Sequence, residues 1–155
     1  MNHATEHSAT GLGETYRMGF TVSEHSARHM RRILRIYLAS WGLAELTHAA
    51  ELALTELVSN VVRHVPGRAC SVLILCGPGG LRVEVTDDCP SPVRMVHGEG
   101  GGELADGGRG LRLVGAVTDR WGAEPTATGK TVWFECDPPG TEPRRASTGQ
   151  VRKSL

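Results

Sequence analysis

Glu56-Leu57-Val58-Ser59-Asn60-Val61-Val62-Arg63-His64 is the stretch on which the reading of this chain turns. Around it Leu46, Ala49, Ala50, Ala53, Leu57, Val58, Val61 and Val65 recur at helical spacing until Pro66-Gly67, so the period predicts a helix from about Ala44 to Val65. On that helix Glu56, Asn60 and His64 fall four residues apart and form one polar stripe among leucines and valines. An acid and an amide in such surroundings need a partner. Carboxylate and amide oxygens are hard ligands of the kind magnesium takes when it also holds substrate phosphates, with waters completing its shell. On this reading Asn60 contacts the metal and Glu56 acts through water or as a base. The other reading of the stripe is a solvated helix face.

The pattern continues on both sides. Upstream, Met30, Ile33, Leu34, Tyr37, Leu38 and Trp41 follow Ser23, a candidate N-cap, at the same helical period, and Gly42 is the stop signal. Tyr16 to Val22 alternates as a short strand. Downstream, Ala69 to Cys76 and Leu81 to Thr86 read as strands joined by the turn Gly77-Pro78-Gly79-Gly80. Leu111, Leu113, Val114 and Val117 predict a third helix, followed by strands over Arg120 to Pro125 and Lys130 to Cys136. Strands thus run together rather than alternating with helices, which points to an α+β fold. The expected architecture is a two-layer α/β sandwich, its mixed, mostly antiparallel sheet covered on one face by helices. Trp41, Trp121 and Trp133 sit in apolar periodic segments and are expected in the core.

Residues 1–13, rich in His, Thr, Ser and Gly without period, read as a flexible N-terminal arm, residues 14–137 as one domain and residues 138–155 as a disordered tail. From Asp87 to Gly110 no period exists either. A structureless span of that length inside a compact domain is functional or signals a wrong assignment, and we read it as a mobile lid.

Lysine plus arginine (17) equals aspartate plus glutamate (17), which gives no electrostatic reason to expect nucleic-acid binding. The longest apolar runs are too short to cross a bilayer, and the first residues lack the basic patch and apolar stretch of a secretory signal. A cytoplasmic location follows as the expectation. Cys70, Cys76, Cys89 and Cys136 show no C-x-x-C spacing, so reduced structural thiols are expected rather than a zinc cage or a redox pair. His25 and His29 sit four apart but have no third ligand in view, and are expected at the surface.

Three further segments bear on a site. Val83-Glu84-Val85-Thr86-Asp87 carries an acid to the start of the long loop, where a buried carboxylate accepts the exocyclic amino group of adenine; an aspartate after a strand is also a common turn residue. Gly107-Gly108-Arg109-Gly110-Leu111 opens the third helix, where backbone N–H groups approach phosphate closely; the alternative is a flexible surface loop. Gly129-Lys130-Thr131 looks like the end of a phosphate-binding P-loop, but Glu124 stands where the earlier glycine is required, so that reading fails. It starts a strand, with Thr131 facing a ligand or the core.

Taken in order, Glu56 to His64, Val85-Thr86-Asp87, Gly108-Arg109-Gly110-Leu111 and Gly129-Lys130-Thr131 resemble the four boxes of the GHKL (Bergerat-fold) ATPases, the superfamily of gyrase, Hsp90, histidine kinases and MutL. The resemblance spans roughly Phe20 to Cys136 and is nearest to the actinobacterial anti-sigma-factor serine/threonine kinases, through the short chain and the helix ending in Trp41-Gly42. It implies ATP and Mg²⁺ as ligands, a sigma factor as one partner and a STAS-type anti-anti-sigma factor as the phosphorylated one, with no direct contact to nucleic acid or membrane. Relatives pair through their first strand and helix, so it also implies a homodimer. Carried over by similarity, Asn60 holds Mg²⁺, Glu56 is the general base and Asp87 binds adenine. Gly108 and Gly110 close the lid on phosphate, His64 and Arg109 contact phosphates, and Leu111 and Thr131 complete the nucleotide site. Where many relatives carry glycines after the adenine-binding aspartate, this chain has Asp88-Cys89-Pro90-Ser91-Pro92. Two prolines stiffen that segment and the charge of Asp88 opposes nucleotide, so low affinity is expected. A protein-binding module without kinase activity is the second reading, and a detached histidine-kinase catalytic domain the third.

Overall fold

Alternation along the strands sets the frame on which everything else is placed. The computed structural model describes residues 3–10, 13–23, 25–90 and 109–142. Among them six strands, β1 (His3–Thr10), β2 (Gly13–Thr21), β3 (Ala69–Gly77), β4 (Gly80–Asp87), β5 (Arg120–Pro125) and β6 (Lys130–Cys136), form one sheet in the order β1-β2-β3-β4-β6-β5. Every pairing is antiparallel, which narrows the expected mixed sheet. Because successive side chains point to opposite faces, Met18, Phe20, Val72, Ile74, Val83, Val85, Val132 and Phe134 are all buried on one side, while their neighbours along each strand are not.

Three helices, α1 (Ser26–Ser40), α2 (Thr47–His64) and α3 (Arg109–Val117), cover that apolar side. Met30, Leu34 and Leu38 of α1 and Ala50, Leu54, Leu57, Val58 and Val61 of α2 are buried against it, at the spacing read from sequence. Each such large apolar side chain contributes roughly 1.5–3 kcal/mol when removed from water. Small Ala50 and Ala53 let α2 lie close, and α2 is therefore the central helix, against α1 on one side and α3 on the other. Gly42, at φ +68°, ends α1, its N–H bonding the Ala39 carbonyl as Leu43 N–H bonds that of Leu38.

Four details differ from the sequence reading. The segment expected to be a loose arm contains β1, paired along β2 from Thr10↔Gly13 to His3↔Gly19. An outermost strand is held by main-chain bonds on one side only and needs no apolar alternation, so its composition carried no signal. Ser23 is not the N-cap of α1. His25 takes that position without a side-chain bond, and the Ser26 hydroxyl reaches back to accept from Ser23 N–H at 2.9 Å. Residues 44–46 form a 3-10 turn leading into α2 rather than its first turn. Trp133 lies between inward-facing Val132 and Phe134, so alternation sends it to the sheet face away from the helices, where the Arg82 guanidinium stacks on it at 4.2 Å. Trp41 and Trp121 do pack against the core. The expected lid and the expected tail both lie mostly outside the described residues.

Candidate functional site

Glu56 and Asn60 stand one turn apart on α2, both half-buried between the fully packed Leu57, Val58 and Val61. What lies over them is the first turn of α3. A Cβ at Gly110 would stand 2.5 Å from Glu56 Oε2 and 3.8 Å from Asn60 Oδ1, so no other residue fits there without moving the carboxylate. Asn60 Oδ1 is buried and, among the described residues, has no hydrogen-bond partner. Leaving such an acceptor unmet costs about 1–3 kcal/mol, and native proteins keep few of them; the indole N–H groups of Trp41 and Trp133 are likewise without a partner among the described residues. The structure thus joins three residues that the sequence singled out, Glu56, Asn60 and Gly110, around an oxygen that accepts no hydrogen bond from the described residues.

Asp87 closes β4 and faces the helix layer, 5% exposed, the one buried charged residue among those described. Its Oδ1 accepts from Cys89 N–H at 2.8 Å and pairs with Lys130 Nζ at 3.1 Å, and the same ammonium donates to the Cys89 carbonyl at 3.2 Å. Gly129 permits this approach: a Cβ there would collide with the Asp87 carbonyl oxygen. Cys89 Sγ lies 3.7 Å from the His64 carbonyl, and so ties the end of β4 to the end of α2, one turn beyond Asn60. Asp87 is in this way brought toward the stripe. Facing it across the sheet is Cys70, whose thiol is pushed up to about 12 by burial and then by the charge of Asp87.

The remaining sequence candidates are placed less directly. His64 is exposed at the last turn of α2, and Leu111 is buried in the core rather than turned to a ligand. Thr131 shares a 2.7 Å hydrogen bond with Thr86 on the face away from the helices, opposite to the Asp87 carboxylate. Arg109 begins α3, and Gly108 lies outside the described residues. Sequence reasoning missed Lys130 as a partner of Asp87. Its only signal was a lysine at the start of a strand, and the pairing exists because Asp87 and Lys130 are in register.

Among the described residues no group of three or more His, Cys, Asp or Glu is placed to hold a metal. Mg²⁺ asks for less than that, since it binds through one or two protein oxygens plus phosphates and water. The buried Asn60 oxygen beside the Glu56 carboxylate fits such an ion. A concavity of about 650 Å³ opens at the other end of the sheet near Gly13, Gly80, Arg82, Arg120 and Glu135. There the charges satisfy one another: Glu135 bonds Arg82 at 2.8 Å and Arg120 at 2.7 Å, and Arg120 also bonds Asp137. Burial would push the Glu135 carboxyl up, but the hydrogen bonds from Arg120 and Arg82 outweigh it and hold it below the ordinary range.

A single antiparallel sheet covered on one face by three helices agrees with the two-layer α/β sandwich expected from the resemblance to GHKL ATPases. The chain belongs to the histidine kinase-like ATPase domain family, whose model matches residues 20–136. It is also 34% identical over 92 residues to the Streptomyces coelicolor protein "Uncharacterized protein SCO4941", an alignment covering 58% of this chain and 85% of that one. No helix among the described residues is long and apolar enough to cross a membrane.

Proposed function

We propose that this ATPase-family domain is an anti-sigma-factor serine/threonine kinase, which binds a sigma factor and transfers the γ-phosphoryl group of ATP to a hydroxyl of a STAS-type anti-anti-sigma factor. The observation that carries this reading is the Glu56 carboxylate beside an Asn60 oxygen that accepts no hydrogen bond from the described residues, under the first turn of α3. Phosphoryl transfer needs positioning and charge neutralisation above all, and these residues divide that work. Asp87 receives the adenine amino group, and Asn60 holds Mg²⁺, which supplies neutralisation of the triphosphate. The N-terminus of α3 turns backbone N–H groups toward phosphate. Glu56 accepts the proton of the partner's hydroxyl as its oxygen bonds to the γ-phosphorus, and ADP leaves. The reading includes a homodimer and a cytoplasmic location; light scattering of the purified chain checks the first.

Glu56→Ala tests the assignment. Phosphorylation of a cognate STAS protein should fall on the order of 10²–10⁴-fold, the usual worth of a general base, while ATP stays bound. Transfer at the original rate would remove Glu56 from the chemistry.

The second reading, a nucleotide-dependent module that sequesters a protein without phosphorylating it, draws support from the segment after Asp87. Exposed Asp88 adds negative charge there and Pro90 restricts the backbone. Incubating candidate STAS partners with the protein and Mg-ATP, then weighing them intact, separates the two: a gain of one phosphoryl group selects the kinase.

A further inference from the structure

The sequence marks Asp87 as a base-binding acid, but the geometry around it assigns work to a residue outside that scheme. Lys130 opens β6 directly across from Asp87, on the side facing the helices, with side chains 14% and 4% exposed. Its ammonium grips two acceptors at once, Asp87 Oδ1 at 3.1 Å and the Cys89 carbonyl at 3.2 Å, while Cys89 N–H holds the same Oδ1 at 2.8 Å. The result is a closed ring of contacts linking the end of β4, the residue two beyond it and the start of β6. Gly129 keeps the ring tight, since any side chain there would strike the Asp87 backbone.

Two physical consequences follow. With Oδ1 occupied by both donors, Oδ2 is the oxygen that takes no hydrogen bond from the described residues, so the carboxylate offers one defined acceptor direction. A buried carboxylate also needs a countercharge, and the cation offsets the negative charge that Asp87, Asp88 and Glu56 would together present to a triphosphate. We infer that Lys130 is a positioning residue for base recognition, fixing Asp87 so that Oδ2 alone meets the exocyclic amino group of the base. The inference rests on the ATP-site reading of Asp87. Its opposite, a lysine that blocks the carboxylate against nucleotide, is decided by the same experiment.

The experiment measures Mg-ATP affinity for the full chain, with Lys130→Met, Lys130→Arg, Asp87→Asn and the double variant Asp87→Asn/Lys130→Met, each first checked for a folded near-ultraviolet spectrum. Lys130→Met should weaken binding about tenfold or more, the scale of hydrogen bonds to a charged group, and Lys130→Arg should recover most of it. Because Lys130 acts through Asp87, adding Lys130→Met to Asp87→Asn should change nothing further. Affinity for Lys130→Met equal to or tighter than the parent, or losses that add in the double variant, overturns the inference. If Lys130→Met alone fails to fold, the comparison of Asp87→Asn with the double variant, which has lost both charges, decides it. A parent chain that binds no ATP overturns the nucleotide reading and this inference together, whereas an indifferent Lys130→Met removes the inference alone.

Discussion

Gly110 is where conformational preference and function conflict most plainly. In an exposed helix, alanine is favoured over glycine by about 1 kcal/mol. Here the added methyl would displace the Glu56 carboxylate, the end of a flexible side chain, so Gly110→Ala should leave stability within about 1 kcal/mol of the parent and instead weaken nucleotide binding, as denaturant titration and ATP binding would show. A gain in stability with full binding would mean that α3 does not rest on the stripe. Thiol reactivity belongs to the same scale. Burial, with a smaller push from nearby acids, raises Cys70 and Cys136 to about 12 and Cys76 to about 11, so near pH 8 they stay protonated as well as covered. Alkylation of the native protein should therefore mark Cys89 first, with the other three labelled only on unfolding, as peptide mass mapping would reveal. Glu56, Asn60 and Asp87 drew the eye in the sequence because a polar residue on an apolar period stands out. Lys130 did not, since its meaning depends on which strand lies opposite.

At the scale of elements, the helices and inner strands were readable because each buries one face, and the period of that face is written in the chain. β1 escaped notice for the complementary reason: an edge strand is held by backbone bonds that no side-chain pattern records. Trp133 was misplaced because a run of bulky residues hides the two-residue alternation that sends it outward. On that outer face the network of Arg82, Arg120 and Glu135 clamps β4, β6 and β5 together. Since the folded Glu135 carboxyl lies below its unfolded value of about 4.3, its contribution is complete above that pH and is lost as pH falls through the folded value. Glu135→Gln should lower stability at neutral pH by roughly 1–2 kcal/mol and flatten the loss on acidification below about pH 4. Parallel pH–stability curves for parent and variant would contradict that role.

For the whole molecule, the central claim is that Glu56 and Asn60 on one helix and Asp87 at a strand's end serve a single adenine nucleotide. Family membership over residues 20–136 sets the expectation of ATP, and Gly110 over the stripe and Cys89 against His64 are the contacts that support the proposed place for it. The most direct measurement is thermal unfolding with ATP, with and without Mg²⁺, for the parent, Asn60→Ala and Asp87→Asn. At a hundredfold excess over the dissociation constant a ligand adds about 2.7 kcal/mol, roughly 5–10 °C for a chain of this size. The parent should show that shift with Mg-ATP, Asp87→Asn should show a clearly smaller one, and Asn60→Ala should lose the part that depends on Mg²⁺. A parent whose unfolding temperature ignores ATP, or variants that respond as the parent does, would contradict the claim.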